Sequence, residues 1–277
     1  MREAVDPPGG ALTTRRIALS SGPASILDAG EGPAVVFVHG LPGAARDARW
    51  LVPHLQRRAR LVAVDLPGFG DTPVSTHADA SPEGRAAFVL DVVDALGLDR
   101  PAIVGHSMGG VVAVAAVAAR PGAFSGLGLL ACPGLRPHAT FARFPRRTLH
   151  LAVHGPWAPW TLPRIQRLFA RAGFRNYPDA AVVRTIDALR ATVFDAHVRR
   201  LRALSLPTLA AWCADDPIVE PAILAELATA LPPGPRLVWA RGGHVPQKAY
   251  AVELADALVG WMDVVRDDPR AGHVAPG

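Results

Sequence analysis

The chain has 277 residues, 29 Lys+Arg against 24 Asp+Glu, 50% apolar residues and two cysteines. Half the residues can enter a core, which excludes intrinsic disorder; Cys132 and Cys213 are too few for a disulfide scaffold and point to a reducing compartment. The longest wholly apolar run, Val111–Ala119, falls well short of the ~20 residues a membrane span needs, and MREAVDPPGG has no apolar signal segment, so a cytoplasmic protein is expected.

In chain order, two strands are expected near Arg16–Ser20 and Ser25–Asp28, forming an antiparallel edge. Apolar runs then alternate with longer helical stretches. The runs Ala34–Val38, Leu61–Asp65, Ala102–Val104, Gly126–Ala131, Thr208–Trp212 and Arg236–Ala240 are apolar on both faces, as strands inside a parallel sheet are. Helices are expected over Asp47–Gln56, Glu83–Leu96, Met108–Arg120, Ala222–Ala230 and Ala249–Val264. This alternation predicts an α/β fold with right-handed crossovers.

One interval breaks the alternation. Residues 134–205 hold thirteen Arg and three Asp with no Glu or Lys, a net +10, and eight of the seventeen aromatics, including Phe141, Phe144, Trp157, Trp160 and Phe169. Helices are expected at Arg164–Ala172, Asp179–Thr192 and Ala196–Ala203, separated by Pro-, Gly- and Trp-rich turns. Such an insertion suits a lid, apolar below and charged above. Its arginines read first as a solvated helical surface, ahead of nucleic acid or an anionic membrane. Its aromatics read either as core packing or as a wall for an apolar acyl or aryl group. Arg143 or Arg146 reaching inward would favour a substrate carrying a carboxylate. The chain then divides into a core (1–133 and 206–266), a lid (134–205) and a frayed tail (267–277).

The chemistry concentrates in four places. Gly105-His106-Ser107-Met108-Gly109-Gly110 follows a strand and opens a helix, the context in which G-x-S-x-G holds a serine on a sharp turn. Upstream, a strand runs into His39-Gly40-Leu41-Pro42-Gly43, a loop able to bring a backbone N–H toward that serine; His39 is expected to organise the loop. Asp215-Asp216-Pro217-Ile218-Val219 follows another strand and offers a carboxylate to orient a histidine. Gly242-Gly243-His244-Val245-Pro246 follows the last strand and offers that histidine. Ser107, Asp216 and His244 stand in nucleophile–acid–base order, each past the carboxyl end of a strand. His39, His54, His106, His150 and His154 are not expected to form a metal-ligand cluster, and no cofactor is implied.

With HGLPG (39–43), DLPGFGDT (65–72), GHSMGG (105–110), ADDPIVEP (214–221) and GGHVP (242–246), the chain resembles the α/β-hydrolase superfamily from about Arg15 to Val264. The resemblance implies an α/β-hydrolase fold: a mostly parallel eight-stranded sheet flanked by helices, with the helical lid after the sixth strand. It implies Ser107 as nucleophile, His244 as general base and acid, Asp216 as orienting acid, and the N–H groups of Leu41 and Met108 as an oxyanion hole. Asp216 is preferred because it directly precedes the P-I-V stretch. Asp215 remains the alternative, since Cys213 replaces the glycine usual in that loop. The intact serine argues against the aspartate-nucleophile branches. The function implied is a cofactor-independent serine hydrolase acting on an ester or similar acyl bond of a small, largely apolar substrate, with no nucleic-acid or membrane partner. C–C bond hydrolysis of ring-cleavage diketo acids, perhydrolysis and non-catalytic ligand reception on the same fold are the alternatives.

Overall fold

The computed structural model describes residues 14–74, 80–171 and 177–266. The chain opens with β1 (Thr14–Leu19) and β2 (Gly22–Ala29), an antiparallel hairpin, as expected for the edge. β3 (Ala34–Val38) follows, then a 3-10 turn at Ala45–Ala48 and a short α1 (Val52–Leu55). The single helix expected over 47–56 is thus divided, because Pro53 has no N–H to return to the preceding turn and begins a new helix. β4 (Arg60–Val64), α2 (Pro82–Ala95), β5 (Ala102–His106), α3 (Met108–Ala119) and β6 (Gly126–Leu130) continue the alternation.

Five helices occupy the interval before the next strand: α4 (Ala139–Arg143), α5 (Arg146–His154), α6 (Ala158–Arg171), α7 (Asp179–Ala191) and α8 (Phe194–Arg202). The sequence pattern missed α4 and α5, whose only buried apolar residues are Phe141 and Val153. It also started α6 six residues late. Pro159 lies in the first turn, where its missing N–H costs nothing, and Pro163 removes one ladder bond without ending the helix. β7 (Thr208–Cys213), α9 (Pro221–Ala230), β8 (Arg236–Trp239), α10 (Pro246–Ala249) and α11 (Ala251–Arg266) complete the described chain. The helix expected over 249–264 is observed as α11, starting two residues later at Ala251 after the separate short α10.

The eight strands form one sheet in the order β1-β2-β4-β3-β5-β6-β7-β8, antiparallel over the first two pairings and parallel from β4 onward. Side chains alternate across it. Val36, Val38, Val62, Val64, Ile103, Leu127 and Leu129 face a core closed by α2, α3, α8 and α9. Val35, Phe37, Leu61, Ala63 and Val104 face the opposite core, closed by α1 and α11. Burial on both faces holds for the central strands but not for β8, an edge strand with Val238 54% exposed. α5, α6 and α7 share a small core of their own, Val153, Ile165, Phe169, Val182 and Ile186, while Ala181 and Ala188 of α7 and Leu201 of α8 join the main core. The tail expected to fray, 267–277, lies outside the described residues. Among those residues no helix is long and apolar enough to cross a membrane.

Candidate active site

β5 runs two residues past the expected Val104 to His106, so Ser107 sits directly between strand and helix. Its backbone is at φ +51°, ψ −125°, a conformation that costs a non-glycine residue about 1–3 kcal/mol and persists only where surroundings enforce it. They do. The Ser107 N–H donates to the Leu130 carbonyl at 2.8 Å, and its carbonyl accepts from Gly110 N–H at 2.9 Å. A Cβ on Gly109 would lie 2.2 Å from the Val38 carbonyl oxygen, so only glycine lets α3 approach β3 this closely.

Ser107 Oγ lies 2.8 Å from His244 Nε2, and His244 Nδ1 lies 2.8 Å from Asp216 Oδ2. The imidazole is 9% exposed and the carboxylate wholly buried. The other Asp216 oxygen, Oδ1, accepts the N–H groups of Ile218 (2.8 Å) and Val219 (3.1 Å). The P-I-V stretch thus cradles the Asp216 carboxylate. Asp215 takes a different place: its two oxygens accept the N–H groups of Gly242 (3.2 Å) and Gly243 (2.8 Å), and these bonds hold its carboxyl below the usual range. Gly242 and Gly243 lie at φ +140° and +70°, so the loop that Asp215 pins is one that only glycines enter readily.

His39 organises the upstream loop. Its Nδ1–H donates to the Gly40 carbonyl at 2.6 Å and its Nε2 accepts Leu66 N–H at 3.1 Å, a pairing that requires one neutral tautomer. Burial accordingly lowers its pKa. Leu66 belongs to DLPGFGDT, and the rest of that motif is bracing. Asp65 accepts N–H groups from Ala45 (2.6 Å) and Asp71 (3.0 Å), and Thr72 Oγ1 accepts Ser25 N–H (2.8 Å). Leu41 lies in the loop so held. Met108 opens α3, where first-turn N–H groups have no intrahelical acceptor.

His106 is a participant that sequence reasoning passed over. Its Nε2–H donates to the His244 backbone carbonyl at 2.7 Å, tying the histidine loop to the serine turn. Burial, then the nearby His244, pushes its pKa down to about 3, so it stays a neutral donor. A histidine one residue before the serine was the available signal, but nothing in the sequence says where its side chain goes.

The insertion departs from expectation at several points. Phe169 lies in its small core with Phe144 against it, and Phe141 packs on Phe194. Trp157 and Trp160 are 67% and 61% exposed, so these two aromatics face solvent. Arg146 lies over the Phe141 ring at 4.4 Å and Arg143 is exposed. His150 and His154, expected to belong to no ligand cluster, converge with Asp187. An open groove lined by Arg120, Phe124, Leu206, Pro233, Trp261 and Val264 lies at the amino ends of the strands, opposite the Ser107 rim.

The family model described as the alpha/beta hydrolase fold matches residues 33–151. RutD of Variovorax paradoxus (strain S110), named as a carbamate hydrolase, is 31% identical over 251 residues, 84% of this chain and 92% of that protein. The polyketide synthase ThaQ of Burkholderia thailandensis is 30% identical over 97% of this chain, which spans only 14% of the synthase. Among solved structures, a thermophilic esterase from Thermogutta terrifontis is 25% identical, with 91% of this chain and 99% of that one covered and a TM-score of 0.69. A lipase structure from Acinetobacter baumannii AYE is 20% identical, with 92% of each chain covered and a TM-score of 0.73. With the Ser107 turn, the sheet order and these relatives in agreement, the chain belongs to the alpha/beta hydrolase family.

Proposed function

We propose that the protein is a serine hydrolase that cleaves the ester bond of a small, largely apolar substrate through an acyl-enzyme on Ser107. The observation that carries this reading is the unbroken chain from Ser107 Oγ through His244 to Asp216, at 2.8 Å in each link. Ser107 gives its proton to His244 Nε2 as Oγ attacks the carbonyl carbon. The developing oxyanion is held by the N–H groups of Leu41 and Met108, each donor worth about 10²–10³ in rate. Asp216 fixes the tautomer with the proton on Nδ1 and stabilises the imidazolium. His244 then protonates the leaving alcohol, the C–O bond breaks, and water attacks the acyl-serine with His244 again as base. In this reading residues 134–205 act as the lid over the rim.

A carbamate carbonyl meets the same donors and nucleophile, and the 31% identity to RutD favours carbamates as a second substrate class. A panel of p-nitrophenyl esters of increasing acyl length, run beside an aryl carbamate, separates the two. Wild-type protein is expected to turn over the short esters and to be labelled by a serine-directed phosphonate. Ser107→Ala is expected to lose both with its circular dichroism unchanged. Labelling that persists in Ser107→Ala moves the nucleophile elsewhere.

A further inference from the structure

On the insertion, α5 presents His150 and His154, four residues apart and therefore on one face of the helix. α7 brings Asp187 against them: Asp187 Oδ1 lies 3.0 Å from His150 Nδ1 and 2.7 Å from His154 Nε2, and the imidazole centroids are 4.5 Å apart. One ligand atom from each residue fits within 4.8 Å of the other two. We propose that His150, His154 and Asp187 form a binding site for one late first-row divalent metal ion, of which Zn²⁺ is the representative, bridging α5 and α7.

The donor set selects the ion. Two imidazole nitrogens and one carboxylate oxygen suit Zn²⁺, Ni²⁺, Co²⁺ or Cu²⁺, whereas Mg²⁺ and Ca²⁺ prefer all-oxygen shells. Three protein ligands leave a fourth tetrahedral position for water. Exposure grades toward that opening: the Asp187 side chain is 10% exposed, His150 28% and His154 41%. Metal–ligand bonds of about 2.0–2.1 Å place tetrahedral ligand atoms about 3.3 Å apart, so the two N···O separations widen by only a few tenths of an ångström on binding. In the metal-free state the two ring N–H groups donate to Oδ1. On binding, each proton moves to the opposite ring nitrogen and the freed lone pair goes to the ion. Arg184 contacts the other oxygen, Oδ2, at 3.3 Å, leaving Oδ1 to face the histidines. Its positive charge weakens the site, so micromolar rather than nanomolar affinity is expected.

The site is independent of the Ser107 chemistry, and its test reads binding directly. Zn²⁺ titrated calorimetrically into the full chain is expected to bind at one ion per chain, and Co²⁺ to give the visible absorption of a tetrahedral site. Zn²⁺ is also expected to raise Tm, with EDTA reversing the shift. His154→Ala and the near-isosteric Asp187→Asn are each expected to weaken Zn²⁺ binding more than about tenfold and to abolish the Tm shift. His54→Ala, outside the cluster, is expected to change neither. No saturable Zn²⁺ binding to wild type, or equal affinity in His154→Ala and Asp187→Asn, would overturn the proposal.

Discussion

The rim of the sheet and the helical insertion answer to different constraints. At the rim, polar side chains are buried and held by opposing bonds: Asp216 by three partners, His39 by two, Asp65 by two. In the insertion, a five-residue core supports helices whose outer faces carry Arg and exposed Trp. Geometry accurate to tenths of an ångström resides where the backbone has no alternative, and tolerance to change resides where side chains meet water.

The sharpest way to break this comparison is at the paired aspartates. Asp216→Asn is expected to lower kcat by about 10⁴, because the histidine loses the partner that sets its tautomer. Asp215→Asn removes only the charge from a loop clamp and is expected to cost less than about tenfold. Equal losses in steady-state kinetics would dissolve the distinction between the two carboxylates.

Ile186→Ala tests the insertion in turn. Emptying that fully buried position is expected to cost about 2–5 kcal/mol. Limited proteolysis should then find new cleavage within 139–202 before the sheet unfolds. Cleavage that begins in the sheet would mean that the two regions melt as one.

Acid connects the regions. Burial lowers the pKa of His106 at the rim to about 3 and that of His197, whose Nε2 meets the Pro133 carbonyl at 3.0 Å, to about 4. Below about pH 6.5 the unfolded chain binds protons that these folded histidines refuse, so stability falls as pH drops from there toward each folded value. Each group contributes up to about 1.4 kcal/mol per pH unit within its window. Urea unfolding at about pH 7 and about pH 4.5 measures the loss, and His197→Asn should reduce its slope. The smallest expected effect belongs to Trp157→Ser and Trp160→Ser, each within about 0.5 kcal/mol in the same assay. A larger cost would give these side chains a packing role that their exposure denies.

Much of this organisation is legible from residue order. Strand runs such as AVVFV and the glycine-bounded serine turn are local patterns, and steric rules over a few residues suffice to read them; the preference for Asp216 over Asp215 comes from the family resemblance. α4 and α5 were not legible: α4 is only five residues long, and in α5 the apolar stripe is confined to Leu149, Ala152 and Val153 and is blurred by the exposed Leu151. Pro163 misled in the other direction, since the packing of Ile165 and Phe169 outweighs one missing ladder bond.

The sequence by itself determined where the backbone must turn, where it must be extended and which residue types stand at the strand ends, because those depend on neighbours a few positions away. The resemblance favours Asp216 but leaves Asp215 open, and tertiary structure places Asp216 against His244; tertiary structure alone decided that His106 reaches the His244 carbonyl and that Asp187 closes on His150 and His154. Those pairings span 28, 33, 37 and 138 positions of chain. Only the completed packing of strands and helices brings such distant groups within bonding distance.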